Sequence, residues 1–228
     1  MISRQQKLSK LAFRFGMLGL LGLVLGVVAA TLSFSDVDGH KFSFLNFSVS
    51  ELGHYGHSQG AVLLNGGLFF GSLSLVLFCL FAMQISDSPW LLPCFVLLGA
   101  SFLSLAVVGL FPINVYHLHN KAMHCFYYFG FSSSLMYLFY IAFAKRRFAA
   151  LGSVFWAFIT WLSFTLSLLL AHLDIGIAVN GKPFYQEMVM AQPRPELWWP
   201  ALIEWVSLGL FMIWVFSLVW SQRESQVE

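Results

Sequence analysis

Charge is what this chain has least of. Of its 228 residues only 10% are Asp, Glu, Lys or Arg, against about 25% in ordinary globular domains. That scarcity excludes a disordered chain, and it excludes a nucleic-acid-binding protein, which needs a basic face for phosphate. Hydrophobic side chains make up 59% and mean hydropathy is +0.78, so a water-soluble enzyme is excluded as well. Cysteine is nearly as scarce. Cys79, Cys94 and Cys125 are too few for an extracellular disulfide framework, and each reads as small apolar filler. No HExxH motif, phosphate-cradling glycine loop, internal repeat or low-complexity tract occurs. Aromatics are abundant, with 25 Phe and 8 Trp, which suits lipid-facing helices with interfacial anchors.

A helix needs about 20 apolar residues to cross a bilayer. Six stretches qualify, at about Phe15–Phe34, Gly60–Met83, Leu91–Phe111, Asn120–Ala144, Ala149–Leu173 and Pro200–Trp220. They are continuous rather than alternating, so the expected fold is all-α, a polytopic membrane protein with six transmembrane helices and no barrel. Basic residues set the direction. Arg4, Lys7, Lys10 and Arg14 precede span one, Lys145, Arg146 and Arg147 join spans four and five, and Arg223 lies just after span six. Lys41, Lys121, Lys182 and Arg194 are spread over longer loops on the other side. Both termini are therefore expected in the cytoplasm of an inner or plasma membrane, with residues 1–14 and 221–228 as tails and 15–220 as the membrane domain. Cleavage of span one as a signal peptide at Val28-Ala29-Ala30 would leave five spans and set the tail at odds with its loop charges.

This topology puts all seven His and seven of the ten acids at the outer side, so binding or chemistry is expected there. The first loop ends Ser50-Glu51-Leu52-Gly53-His54-Tyr55-Gly56-His57, where Gly permits a tight turn and Glu51 can either serve a site or favour a helix start. Pro112 stops span three and Asn114 can cap the next helix. His117, Lys121 and His124 stand at i, i+4 and i+7, one helical stripe that either lines a cleft or meets lipid phosphate at the interface. His172-Leu173-Asp174 closes span five. Trp198-Trp199 reads as an aromatic-belt anchor, and Asn-Phe-Ser at 46–48 matches a glycosylation acceptor. Glu204, one turn inside span six, is an intramembrane ionisable group and a functional hypothesis by default; its plainer role is a buried ion pair with Lys121 or hydrogen bonds to neighbouring backbone. Asn65 faces the same interior or binds helices together. Gly22-x-x-x-Gly26 and Gly67-x-x-x-Gly71 permit close helix approach, within the chain or between copies in an oligomer.

Several of these segments occur together in an order that resembles a known family. Ser48-Val49-Ser50-Glu51-Leu52-Gly53, then Asn65-Gly66, then Gly109-Leu110-Phe111-Pro112, then His119-Asn120 are similar to the polytopic membrane family numbered 998 among domains of unknown function, a relative of the Frag1/DRAM/Sfk1 group. The resemblance covers roughly residues 11–220. It implies a six-helix domain with polar positions at the outer face and an acidic residue in the last span, at Glu204, although Trp205 stands next where the family has Arg. It implies no reaction.

The site expected from the residues is an outer cleft of Glu51, Asn65, Asn114, Lys121, His172 and Glu204, with His54, His57, His117 and His124 as the metal-capable members. Such a cleft binds or handles a lipid or a small amphipathic ligand, its partners being membrane lipids and not nucleic acid. The alternative is a zinc-dependent membrane hydrolase, with His54, His117 and His124 as ligands and Glu51 or Glu204 as general base. The Ser50-x-x-x-His54 spacing is similar to the Ser and His pair of the alkaline-ceramidase superfamily, without its seven-helix layout or its paired His motif near the carboxyl end. A haem protein would need opposed His within spans, for which only His124 and His172 come near. A structural or assembly subunit is the remaining reading.

Overall fold

The six apolar stretches become six long helices in the computed structural model, which describes residues 4–34, 42–86, 88–143, 151–170 and 196–224. They are α1 (Arg4–Leu32), α3 (Ala61–Ile85), α4 (Leu91–Leu110), α5 (Tyr116–Phe143), α6 (Leu151–Leu170) and α7 (Trp199–Glu224). A one-turn helix α2 (Val49–Leu52) lies in the first loop, and a 3-10 turn (Ile113–Val115) joins α4 to α5. Each long helix is long and apolar enough to cross a membrane, and no strand occurs among the described residues. The protein is thus an all-α integral membrane protein. Pro93 and Pro200 sit in the first turns of α4 and α7, where a missing N–H breaks no helical bond.

Each long helix packs on the next, and α7 closes the ring on α1. The alternating directions bring the start of α1 and the end of α7 to one end, where the Ser9 hydroxyl donates to the Gln222 carbonyl at 2.8 Å. The α1 helix begins eleven residues before the apolar run expected for span one, where Ser9 and Ala12 are buried while Arg4, Lys7, Lys10 and Arg14 stay exposed.

The α1–α3 seam is made of glycine. A Cβ on Gly67 would stand 2.8 Å from the Gly26 Cα and 2.9 Å from the Gly22 carbonyl oxygen, and one on Gly71 would stand 2.9 Å from the Gly19 oxygen. Both GxxxG faces therefore meet each other inside the chain, giving backbone-to-backbone contact that no larger residue allows. Across the ring, α5, α6 and α7 meet through rings instead. Phe126, Phe164 and Phe211 form a triangle with centroids 5.3–5.4 Å apart, flanked by Phe102 and Trp214. The girth carries exposed Leu18, Leu25, Phe70, Leu103, Phe155 and Ile213, a surface suited to hydrocarbon. Cys79 and Cys94 fill the core, whereas Cys125 is exposed, unlike the filler expected of it. Trp199 is exposed as an interfacial anchor, but its neighbour Trp198 is packed inside and donates its backbone N–H to the Leu45 carbonyl.

Candidate functional site

The first loop folds back into the end of the bundle opposite the termini. Its hinge is a capping box: the Glu51 N–H donates to the Ser48 hydroxyl at 3.2 Å, and the Ser48 N–H donates to Glu51 Oε2 at 2.9 Å. The plainer reading of Glu51, a helix start, is what this geometry records. The turn of α2 drives Leu52, fully buried, into the core and swings Ser50 inward. Gly53 ends it. A Cβ there would stand 2.6 Å from Asn65 Oδ1, so only glycine lets Asn65 donate from Nδ2 to the Gly53 carbonyl at 2.9 Å. Gly56 takes a positive φ of 93°, which reverses the chain before α3. Asn114 then clamps the loop from the far side, accepting from the Tyr55 N–H at 2.8 Å and donating to its carbonyl at 3.0 Å. Trp205 ties the loop's other flank to α7 by donating to the Phe47 carbonyl at 2.8 Å.

Ser50 is the centre of what this brings together. Its hydroxyl lies 2.7 Å from Glu204 Oε1, its N–H donates to the same oxygen at 3.2 Å, and His119 Nε2 stands 3.1 Å from the hydroxyl. All three residues are buried. Pro112 has a part in this. By ending α4 it leaves the Phe111 carbonyl outside the helical ladder, where it meets His119 Nδ1 at 2.9 Å. A carbonyl only accepts, so Nδ1 carries a proton.

Ser50 has one hydroxyl proton and stands between Glu204 and His119, so a proton it gives to one it cannot give to the other.

A small cavity abuts this trio. It leaves about 20 Å³ for the centre of a water molecule, room for one or two waters. Its walls are apolar, from Val49, Leu64, Leu68, Leu105, Val108, Met123, Phe126 and Leu208, and its polar end is Ser50, Asn65, His119, Tyr127 and Glu204.

Of the residues expected at the site, Asn65 and Glu204 line the cavity, while Glu51 and Asn114 shape the loop that closes it. His117 and Lys121 are exposed and His124 is half-buried beside the Tyr128 ring, so the stripe points away from the cavity. The reason is helical phase: His119 stands two residues from His117, about 200° round the axis. Glu204 accordingly bonds to Ser50 and Ser48 and not to Lys121. His54 and His57 stack edge to face at 4.4 Å between centroids in the turn before α3. Burial, and then the neighbouring His57, pull the His54 pKa below its ordinary 6.5. Among the described residues no three His, Cys, Asp or Glu side chains gather around one point where a metal ion would sit. His172, Asp174, Lys182 and Arg194 lie outside the described residues. Ser50 and His119 are site residues that the sequence does not single out. Their signals are present, in the Ser50-x-x-x-His54 spacing and in His119-Asn120, but each is legible only once Glu204 is beside them.

Fold and site together define a six-helix membrane protein with a buried, hydrogen-bonded polar trio under a folded-back loop. No family model, curated protein or solved structure matches the chain.

Proposed function

We propose that this chain is a cell-membrane protein with both termini in the cytoplasm, whose outer-end cavity binds or handles a lipid or small amphipathic ligand. The observation that carries the reading is the pairing of eight apolar wall residues with a buried cluster of hydrogen-bonding groups at one end of one cavity. Apolar pockets with a few convergent polar groups are the usual form of a ligand site, and one with room for one or two waters takes in only the end of such a ligand. Burying Glu204 and His119 in a membrane domain is costly unless they are used or fully paired. Exposed Arg4, Lys7, Lys10, Arg14 and Arg223 at the terminal end favour that end as cytoplasmic.

Mass spectrometry of lipids and metals carried by purified wild-type protein and by Glu204→Gln tests the reading. It expects an amphiphile in near-stoichiometric amount with the wild type and less with the variant. Near-stoichiometric zinc without an amphiphile would overturn it in favour of the hydrolase. For the orientation, a membrane-impermeant thiol reagent added to intact cells should label a cysteine placed at Tyr55 and spare one placed at Gln222.

A further inference from the structure

The first loop turns apolar side chains outward beside the start of α7. Phe44 is 52% exposed and Leu45 49% exposed. The Leu45 carbonyl accepts from the Trp198 N–H at 2.8 Å, which sets the pair beside exposed Leu197 and Trp199. The peptide groups of the same segment are turned inward. The Asn46 and Phe47 N–H groups donate to the Ser43 carbonyl at 3.2 and 3.0 Å, and the Leu45 N–H donates to the Ser43 hydroxyl at 3.3 Å. The Phe47 carbonyl accepts from the Trp205 indole. A loop in water can leave such groups to solvent; a segment against hydrocarbon must pair them within the protein.

Helix α7 supplies the depth. Trp199 and Trp220 are both exposed, and the Arg223 guanidinium lies 4.9 Å from the Trp220 ring centroid, an arrangement suited to a membrane interface. The two tryptophans stand 21 residues apart, about 31 Å at about 1.5 Å per residue, against about 30 Å of hydrocarbon. Trp199 thus falls at the hydrocarbon boundary farther from the termini, and Leu45 is bonded to the residue beside it. Phe44 reaches deeper. Its ring meets that of Trp205, six residues further along α7, edge to face at 4.9 Å.

We propose that residues 42–47 lie in the bilayer interface opposite the termini, with Phe44 and Leu45 inserted among the lipid acyl chains. The partner of this surface is the bilayer itself, continuous with the lipid-facing girth of α7. Lipid then holds the outside of the loop whose next turn carries Ser50, whatever the cavity beneath it binds.

The test is nitroxide labelling of Leu45→Cys, and separately of Phe44→Cys, in the full-length protein with Cys125→Ser, reconstituted in phosphatidylcholine bilayers. Cys79 and Cys94 are buried and shielded from the reagent. Power saturation compares collisions with oxygen, which concentrates in hydrocarbon, and with a neutral nickel chelate, which stays in water. The oxygen-to-nickel ratio at both positions should exceed that at a Gln5→Cys label, in the exposed basic tail, by about threefold or more, and approach that at Ile213→Cys on the lipid-facing girth. A ratio equal to that at Gln5 would put the loop in water and overturn the proposal. Weak collision with both reagents would show protein covering the two side chains, and would overturn it too.

Discussion

The bundle is closed by two seams of opposite character. Between α1 and α3, glycines bring backbones into contact and leave no space. At the end opposite the termini, α2, α5 and α7 meet through Ser50, His119 and Glu204, and the polar groups leave a cavity beside them. The first seam is fixed by shape alone, since nothing smaller than glycine exists to loosen it and nothing larger fits. The second is fixed by hydrogen bonds, which have direction and protons to exchange. The rigid seam lies along α1 and α3, while the Ser50, His119 and Glu204 cluster lies at the loop-covered end.

The largest expected effect breaks the glycine seam. Gly67→Val places carbon inside the Gly26 backbone and should cost about 3 kcal/mol, read as a lowered unfolding temperature in detergent. Its neighbour sharpens the contrast: a Cβ on Gly66 meets nothing within 4 Å, so Gly66→Ala should leave stability unchanged or slightly raised. Next comes the polar seam. Glu204→Leu removes the acceptor for the Ser50 hydroxyl and N–H and should cost about 1–3 kcal/mol, whereas Glu204→Gln keeps an acceptor oxygen and should cost less. Asn114→Ala loses both bonds to Tyr55 and should cost about 1 kcal/mol, confined to the loop and visible as faster hydrogen exchange around residue 55.

The smallest effect is a pH dependence in the same loop. His54 has its pKa lowered on folding, by burial first and His57 second, so the unfolded loop binds protons more readily than the folded one. Loop stability is therefore complete above the ordinary value of 6.5 and declines as pH falls through that value toward the lower folded pKa. Loop protection against hydrogen exchange, measured across pH, should show this decline in the wild type and a flatter profile in His54→Gln.

The two seams also differ in how far the sequence foretells them. Six helices are legible because each apolar run is continuous and its length is set by the bilayer. The glycine seam is legible as spacing, since Gly22/Gly26 and Gly67/Gly71 are local patterns, although not that the two face each other. The polar seam is half legible. Glu204 stands out as a charge in an apolar run, but Ser50 lies 154 residues away and no local rule pairs them. On α5 the polar stripe of His117, Lys121 and His124 points to the wrong face, because the inward stripe of His119, Met123, Phe126 and Gly130 is mostly apolar. In a membrane domain the inward face is the one that packs, and polarity at a helix start marks the interface as readily as a site. The position of Asn114 after Pro112 suggests a cap; the 3-10 turn instead turns it toward Tyr55.

The central claim is that Ser50, His119 and Glu204 act as one hydrogen-bonded unit, and a double-mutant cycle measures this most directly. Unfolding free energies of wild type, Ser50→Ala, Glu204→Gln and the double variant, taken in one detergent, should give a coupling of about 1–3 kcal/mol, with the double variant losing less than the sum of the singles. Additive losses, within about 0.5 kcal/mol, would show two independent residues and contradict the account.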